Sequence, residues 1–324
     1  MKIAITGATG FIGSHLTETL VAQGHEVTCL TRSREKVNWI RDLPVRMVYG
    51  DVCHEHSLEK LVTGQEVIVH LAGLTKAPDL ETYTRVNVQG TRNVLSAVMA
   101  KGVRLRRFIL ISSQEAMGPS TEGMPIGEDV PQNPLSMYGI SKHLAEKALR
   151  EWDTIPMTVI RPPAVYGPRD RDIFAYFKLA SMGITPIVGY SNTLSVVYVK
   201  NLVNGISLAI ERSLGGFRSY FFTDGDAVTW KIMSEMISQA MHRRTAKIRV
   251  PSAVVRAMGQ IAGLYSALTH KALLLSKDKI AAMKVEYWLI SDQRARSELG
   301  YKPVFTTAQG VAETALWYKD AGWL

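Results

Sequence analysis

Tyr138 and Lys142 stand four residues apart in the run SMYGISK, preceded by Pro134 and followed by an amphipathic pattern, so a helix here carries both on one face. That pairing suits proton transfer. A phenol ordinarily titrates near ~10 and is a poor base at neutral pH, but a neighbouring ammonium and an oxidised nicotinamide favour the phenolate. Bringing it to neutrality amounts to about 4 kcal/mol of differential stabilisation, much of which Lys142 can supply while holding a cofactor ribose. Tyr138 then takes a proton from a substrate hydroxyl as hydride leaves its carbon, or returns one to a carbonyl in the reverse direction. Ser113, ending a strand-like run, is placed to hydrogen-bond the same oxygen. Alone, Tyr-x-x-x-Lys is weak evidence, because it occurs on ordinary helix surfaces. As a hydrolase nucleophile Ser113 lacks a GxSxG elbow, and His143 reads as a surface residue.

A second constellation opens the chain. Lys2 to Gly13 read KIAITGATGFIG, a buried strand followed by Gly7, Gly10 and Gly13 and then a helix through Leu20. The first glycine permits a tight turn, the second lets the backbone approach a pyrophosphate, and the third allows close helix packing. The helix N-terminus, with Phe11 and Ile12 in its first turn, offers free amides and a positive dipole end. Strand before and helix after make this a dinucleotide-binding turn. The end of the second strand, Leu30-Thr31-Arg32, has no carboxylate for an adenosine ribose, whereas Arg32 can pair with a 2′-phosphate and stack on adenine. NADP(H) is therefore the preferred cofactor, with NAD(H) second. Asp51 either contacts the adenine side or caps the following helix.

These residues need a scaffold that brings strand ends together. Short β-rich runs at Lys2 to Thr6, Glu26 to Thr31, Arg46 to Tyr49, Val67 to Leu71, Arg107 to Ser112 and Met157 to Arg161 alternate with amphipathic stretches such as Tyr83 to Met99 and Met137 to Arg150. The alternation predicts an α/β fold with a doubly wound parallel sheet of Rossmann type. After Arg161 it gives way to Pro162, Pro163, Gly167 and Pro168 and scattered helices. Residues 1–165 are read as the dinucleotide-binding domain and 166–324 as mostly a small substrate-binding region. Strand patterns at Ser195 to Val199 and Ser219 to Phe222 remain candidates to return to the main sheet.

The bulk numbers agree with a folded enzyme: 324 residues, 46% hydrophobic and 21% charged. Met1 runs straight into a strand pattern without the features of a secretory signal, so the protein is expected in the cytoplasm. Cys29 and Cys53 lack metal or redox spacing and read as small core hydrophobes. His70 reads as a core histidine, and no metal site is expected. The apolar region Ala253 to Leu275 is interrupted by Arg256, His270 and Lys271 and falls short of the ~20 residues that span a bilayer. The net charge of +9 suits an anionic ligand. The cluster His242, Arg243, Arg244, Lys247 and Arg249 suits nucleic acid or anionic lipid, or is a solvated surface; the solvated surface, with no nucleic-acid partner, is the expectation.

Together these features resemble the extended short-chain dehydrogenase/reductase family, also called NAD-dependent epimerase/dehydratase. GATGFIG, Asp51-Val52, HLAG at His70 to Gly73, NVQGT at Asn87 to Thr91, ISS before Ser113, YGISK, RPPAVYGPRD at Arg161 to Asp170 and the ending SDQRARSELGYKP are similar to family motifs in family order. The resemblance implies that Ser113, Tyr138 and Lys142 are catalytic. It implies that Gly7, Gly10, Phe11, Ile12, Gly13, Asp51, Val52, Leu71, Ala72, Gly73, Lys142 and Pro163 line the cofactor groove. Asn87 either positions its helix or is a buried structural asparagine.

Departures from the family pattern bear on the substrate. Gln114 stands where 4,6-dehydratases place aspartate, between Ser113 and Glu115, which argues against elimination of water. Ala164 and Leu194 stand where sugar-nucleotide epimerases commonly have asparagine and arginine. Lys200 and Asn201 replace an acidic pair, and Met117 replaces a tyrosine. The pocket is thus expected to be apolar, as in the hydroxysteroid dehydrogenase and dihydroflavonol reductase-like branch. The expected reaction is hydride transfer with a small-molecule secondary alcohol or ketone. Alternatives are nucleotide-sugar epimerisation and a non-catalytic dinucleotide sensor. Val254 to Leu274 forms either a lid or a core helix, and the resemblance implies a homodimer through the two long helices.

Overall fold

The computed structural model describes residues 1–35, 37–188, 192–212, 214–250 and 285–324. The stretches Ala253 to Leu275 and Val254 to Leu274 lie outside the described residues, so the readings made there have no structural counterpart. Among the described residues no helix is long and apolar enough to cross a membrane.

Strands β1 (Lys2–Thr6), β2 (Glu26–Thr31), β3 (Arg46–Tyr49), β4 (Val67–His70), β5 (Arg107–Ile111) and β6 (Met157–Ile160) build one sheet. Short strands β7 (Ala164–Tyr166), β8 (Ile184–Val188) and β9 (Thr193–Tyr198) leave it, and β10 (Phe217–Tyr220) rejoins it beside β6. The order is β10-β6-β5-β4-β1-β2-β3, parallel throughout. This is a Rossmann-type α/β fold, as the alternation predicted. Its strands are near-continuous apolar runs because helices cover both faces: β4 and β5 are buried along their whole length. Of the two late patterns, Ser219 to Phe222 returns to the sheet as part of β10. Ser195 to Tyr198 instead belong to β9, at the centre of a second sheet with β7, β11 (Ala227–Thr229) and β13 (Tyr287–Trp288), and Val199 opens the next helix. A third, two-stranded sheet pairs β8 with β12 (Ala246–Val250).

Helix α1 (Phe11–Ala22) links β1 to β2, and the short α2 (Glu59–Val62) precedes β4. After β4, α3 (Leu80–Tyr83), a π-helical segment Thr84–Gln89 and α4 (Gly90–Ala100) follow without a break. Helix α5 (Met137–Leu149) precedes β6, and α6 (Phe174–Ser181), α7 (Val199–Glu211), α8 (Trp230–Ala240) and α9 (Thr307–Asp320) belong to the second half. One core layer joins alternate residues of the sheet, such as Ile5, Val69 and Ile109, to Leu16 of α1, Leu202 and Ile206 of α7 and Tyr318 of α9. The other joins Ala4, Ile68 and Leu110 to Val94, Val98, Ala145 and Leu149 of α4 and α5. Side chains alternate across each strand, so each strand feeds both layers.

Candidate active site

The strand order reverses between β1 and β4, and crevices outside the carboxyl ends of strands at such a switch point take ligands in open α/β sheets. The glycine turn lies there. Gly7 has φ +75, and a Cβ on it would come within 2.7 Å of the Ala72 nitrogen; a Cβ on Gly13 would lie 2.1 Å from the Gly7 oxygen. Only glycine lets β1, α1 and the loop after β4 close to this distance. A Cβ on Gly10 would meet only the Gly7 oxygen, at 3.3 Å, so the exposed Gly10 backbone stays open to approach. No side chain caps α1, which leaves first-turn amides at Phe11 and Ile12 for an anion. That open, uncapped cradle fits a dinucleotide pyrophosphate.

Arg32 follows β2 with its side chain 76% exposed and one nitrogen 3.9 Å from an Asp51 oxygen, beyond a direct hydrogen bond. Asp51 Oδ1 accepts from the Cys53 amide at 2.9 Å, which closes its own turn. Val52 is buried against Gly90, its carbonyl taken by Asn93, so its side chain serves packing between β3 and α4. On the other side of the switch, Leu71, Ala72 and Gly73 continue from β4. The Leu71 amide donates to the Thr6 carbonyl, and the Ala72 amide to Thr6 Oγ1 at 3.1 Å. The same hydroxyl shares a 2.7 Å hydrogen bond with His70 Nδ1, and burial pushes His70 down to about 3, so it is neutral in the core. Pro163 is buried just beyond β6. Cys29 is buried as expected, whereas Cys53 is only half-buried.

Helix α5 brings Tyr138 and Lys142 to Ser113. Ser136 caps the helix, accepting from the Gly139 amide at 2.9 Å while donating to Glu115 Oε2 at 2.5 Å. A Cβ on Gly139 would lie 2.3 Å from the Glu115 carbonyl oxygen, so the glycine of YGISK lets the first turn of α5 press onto the 3-10 turn Gln114–Ala116 that follows Ser113. That contact puts the Tyr138 phenol within hydrogen-bonding reach of Ser113. One turn later Lys142 is buried, donating to the Ile111 carbonyl at 2.8 Å, with its ammonium 6.0 Å from the Tyr138 ring centre. A Cβ on Gly73 would lie 3.3 Å from the same ammonium, so Lys142 bridges the ends of β4 and β5.

The sequence reading drew its phenolate from Lys142 together with an oxidised nicotinamide; the chain's own groups act on Tyr138 in the opposite direction. Burial pushes the Tyr138 phenol well above its ordinary value, the Glu115 carboxylate adds to this, and the Ser113 hydrogen bond opposes it only partly. In the chain by itself these groups favour the neutral phenol. Lys142 is brought down to about 8 by burial, against the pull of the Glu146 carboxylate on the next turn. Glu146 is itself buried, ion-paired to Arg161 at 2.7 Å and accepting from Ser112 at 2.5 Å.

Asn87 is the neighbour that the sequence left undecided. It sits in the π-helical segment, its Oδ1 accepting from the Leu74 amide at 2.7 Å and its Nδ2 donating to the Leu74 carbonyl and to Ser141 Oγ at 2.9 Å. It therefore ties the loop after Gly73 to the helix that carries Tyr138 and Lys142. Tyr83, which the sequence reading passed over, packs its ring 6.0 Å from that of Tyr138; an aromatic in a helical apolar stripe gives no separate signal. His143 is not a plain surface residue, since its Nδ1 shares a 2.8 Å hydrogen bond with Gln132, which also donates to Glu146.

Five positions carry the expectation of a less polar pocket, and four of them serve the fold or the surface instead. Leu194 is buried in the core beneath β9. Met117 packs with Phe221 and Ile290. Asn201 is fully buried, donating to Asp224 and the Phe305 carbonyl and accepting from the Val304 and Phe305 amides, while exposed Lys200 pairs with Glu313. Ala164, which opens β7 directly after Pro163, is exposed.

Residues 3–219 match the NAD dependent epimerase/dehydratase family, and the chain belongs to it. A ceramide reductase of Caulobacter vibrioides is 31% identical over 99% of this chain and 96% of its own length. A 3-beta-hydroxysteroid dehydrogenase of Mycolicibacterium neoaurum is 27% identical over 98% of this chain and 92% of its own. Among solved structures, the UDP-glucuronic acid 4-epimerase of Bacillus cereus in complex with NAD superposes with a TM-score of 0.80 at 22% identity, covering 99% of each chain. These relatives are enzymes, and the shared architecture is that of extended short-chain dehydrogenases and epimerases.

Proposed function

We propose that the protein is an NAD(P)-dependent oxidoreductase that reduces the ketone of a lipid-like small molecule, or oxidises the corresponding secondary alcohol. The observation that carries this reading is the meeting of Ser113, Tyr138 and Lys142 at the carboxyl ends of β4 and β5, with Tyr138 held as a neutral phenol. A neutral phenol is a general acid. It donates its proton to a carbonyl oxygen as charge develops there, Ser113 steadies the same oxygen, and Lys142 holds the ribose edge of the site. The bound nicotinamide supplies the hydride. The cradle at Gly7, Gly10 and Gly13 binds its pyrophosphate, and exposed Arg32 favours the 2′-phosphate of NADPH over NADH. The names of the ceramide reductase and the hydroxysteroid dehydrogenase support an apolar substrate. Residues 166–324 contribute the substrate side, residues 1–165 most of the cofactor side, and a homodimer through α4 and α5 completes the proposal.

The experiment is a spectrophotometric assay of the purified chain with NADPH or NADH against ceramide-like and steroid ketones and, separately, UDP-sugars. Stoichiometric loss of NADPH absorbance with an apolar ketone is the expected result. Turnover of a UDP-sugar with no net absorbance change would put an epimerase in its place, and cofactor binding without turnover of any substrate would leave a sensor.

A further inference from the structure

Helices α8 and α9 lie side by side, and between them runs a groove of about 450 Å³. Its lining is largely apolar: Met236 and Ala240 from α8, with Gln239 between them, and Ala308, Ala312, Ala315 and Leu316 from α9. Leu316 is 59% exposed, and Ile232, one helical turn before Met236, is 41% exposed. One end of the groove is lined by His242, just past α8, and by Lys319 in the last turn of α9. Arg243 and Arg244 follow His242, both exposed. The Ala246 amide donates to the Gly183 carbonyl at 2.8 Å, which brings Met182, 62% exposed, beside the same turn. Ile248 on β12 is 48% exposed.

The charge on these elements is one-sided. Glu235 is taken by Lys247 at 2.8 Å and Glu313 by Lys200. That leaves Lys178, Lys231, Arg243, Arg244 and Lys319 against Asp320 alone, none of them in an ion pair among the described residues. Arginines with no ion pair among the described residues, on elements that also expose Met182, Ile248 and Leu316, form a surface both cationic and apolar, the combination that marks an interaction site rather than plain solvent. A soluble polyanion would engage the cations and leave the apolar groove wet. A bilayer interface engages both, with arginines at the phosphate level and apolar side chains in the headgroup and acyl boundary.

We propose that this face, formed by the α8–α9 groove and the turn from His242 to Thr245, docks on the surface of an anionic phospholipid bilayer. The arginines meet lipid phosphates, and Leu316, Met182 and Ile232 enter the interface. The inference stands independently of the reductase reading, which a lipid-like substrate would make useful but does not require.

The test is co-sedimentation of the full chain with vesicles of pure phosphatidylcholine or of an equimolar phosphatidylcholine and phosphatidylglycerol mixture. Binding to the anionic vesicles alone, weakened by salt, is expected. Arg243→Gln with Arg244→Gln should weaken it by about fivefold per charge and so about 25-fold for the pair. Leu316→Ser should weaken it with every charge intact, which a purely ionic contact would not show. Unchanged melting temperatures establish that these surface variants are folded, and Tyr138→Phe should bind vesicles as the parent does whatever its activity. No binding to either vesicle, equal binding to both, or full binding by the double variant or by Leu316→Ser would overturn the proposal.

Discussion

Tyr138 illustrates how one side chain is tuned by what surrounds it. Burial and Glu115 favour its protonated form, so in the proposed reaction its contribution is the proton it donates, and Tyr138→Phe removes that without touching the glycine cradle. The expected result is a fall in kcat of about 10²–10⁴, the usual range for a lost general acid, with cofactor affinity by fluorescence titration unchanged. In the proposed reaction the pH dependence follows Lys142. Its folded value of about 8 lies below its ordinary 10.5, so the ammonium is lost as pH rises through about 8, and kcat/KM should fall on the alkaline side with an inflection there. Between about 8 and 10.5 the unfolded chain binds the extra proton, so this group makes the folded state gain stability as pH rises through that window. Glu146 favours the charged form; Glu146→Gln should therefore move the alkaline inflection of the pH profile to lower pH. An inflection that stays in place would mean Glu146 serves only its ion pair with Arg161.

At the level of elements, glycines and caps decide how closely α5 approaches the strand ends. A methyl at Gly139 would sit 2.3 Å from the Glu115 carbonyl, so the first turn of α5 must lift away from the Ser113 turn. Displacing a catalytic group by ~1 Å can cost about 10²-fold. Gly139→Ala should therefore lower kcat by about that factor, while Gly127→Ala, whose Cβ would meet nothing within 4 Å, should leave it unchanged. Equal activity of the two variants would sink this account. Much of this was legible beforehand: strand positions follow from apolar runs, and the glycine turn and YGISK fix the two ends of the site. What the sequence could not show is which side of a residue the core takes. Leu194, Met117 and Asn201 read as pocket substitutions, but burial assigned them to packing and to the Asp224 network. The neutral state of Tyr138 was equally hidden, because it depends on Glu115 and on burial that only tertiary packing creates.

The two halves of the molecule share one core, and this bears on whether the reading of a boundary near residue 165 describes separate folding units. Helix α7 lies against α1 on the main sheet and buries Val199, Leu202, Val203, Ile206 and Ile210, and β10 covers the outer edge of β6. At about 2 kcal/mol for each large apolar side chain, α7 alone accounts for on the order of 10 kcal/mol of burial. That is comparable with the whole stability of an ordinary domain, about 5–15 kcal/mol. The halves are further tied by Arg169, which donates to Glu18 at 2.6 Å, and by the Phe221 amide, which donates to Glu128 Oε1 at 3.1 Å. A fragment of residues 1–165 should therefore fail to fold: it would bind a hydrophobic dye, show no cooperative melt and lose cofactor affinity. The full chain should unfold in a single calorimetric transition. A fragment that melts cooperatively and binds NADPH as tightly as the full chain would show that the sheet is complete without β10 and α7, and that the second half is an appendage with its own stability.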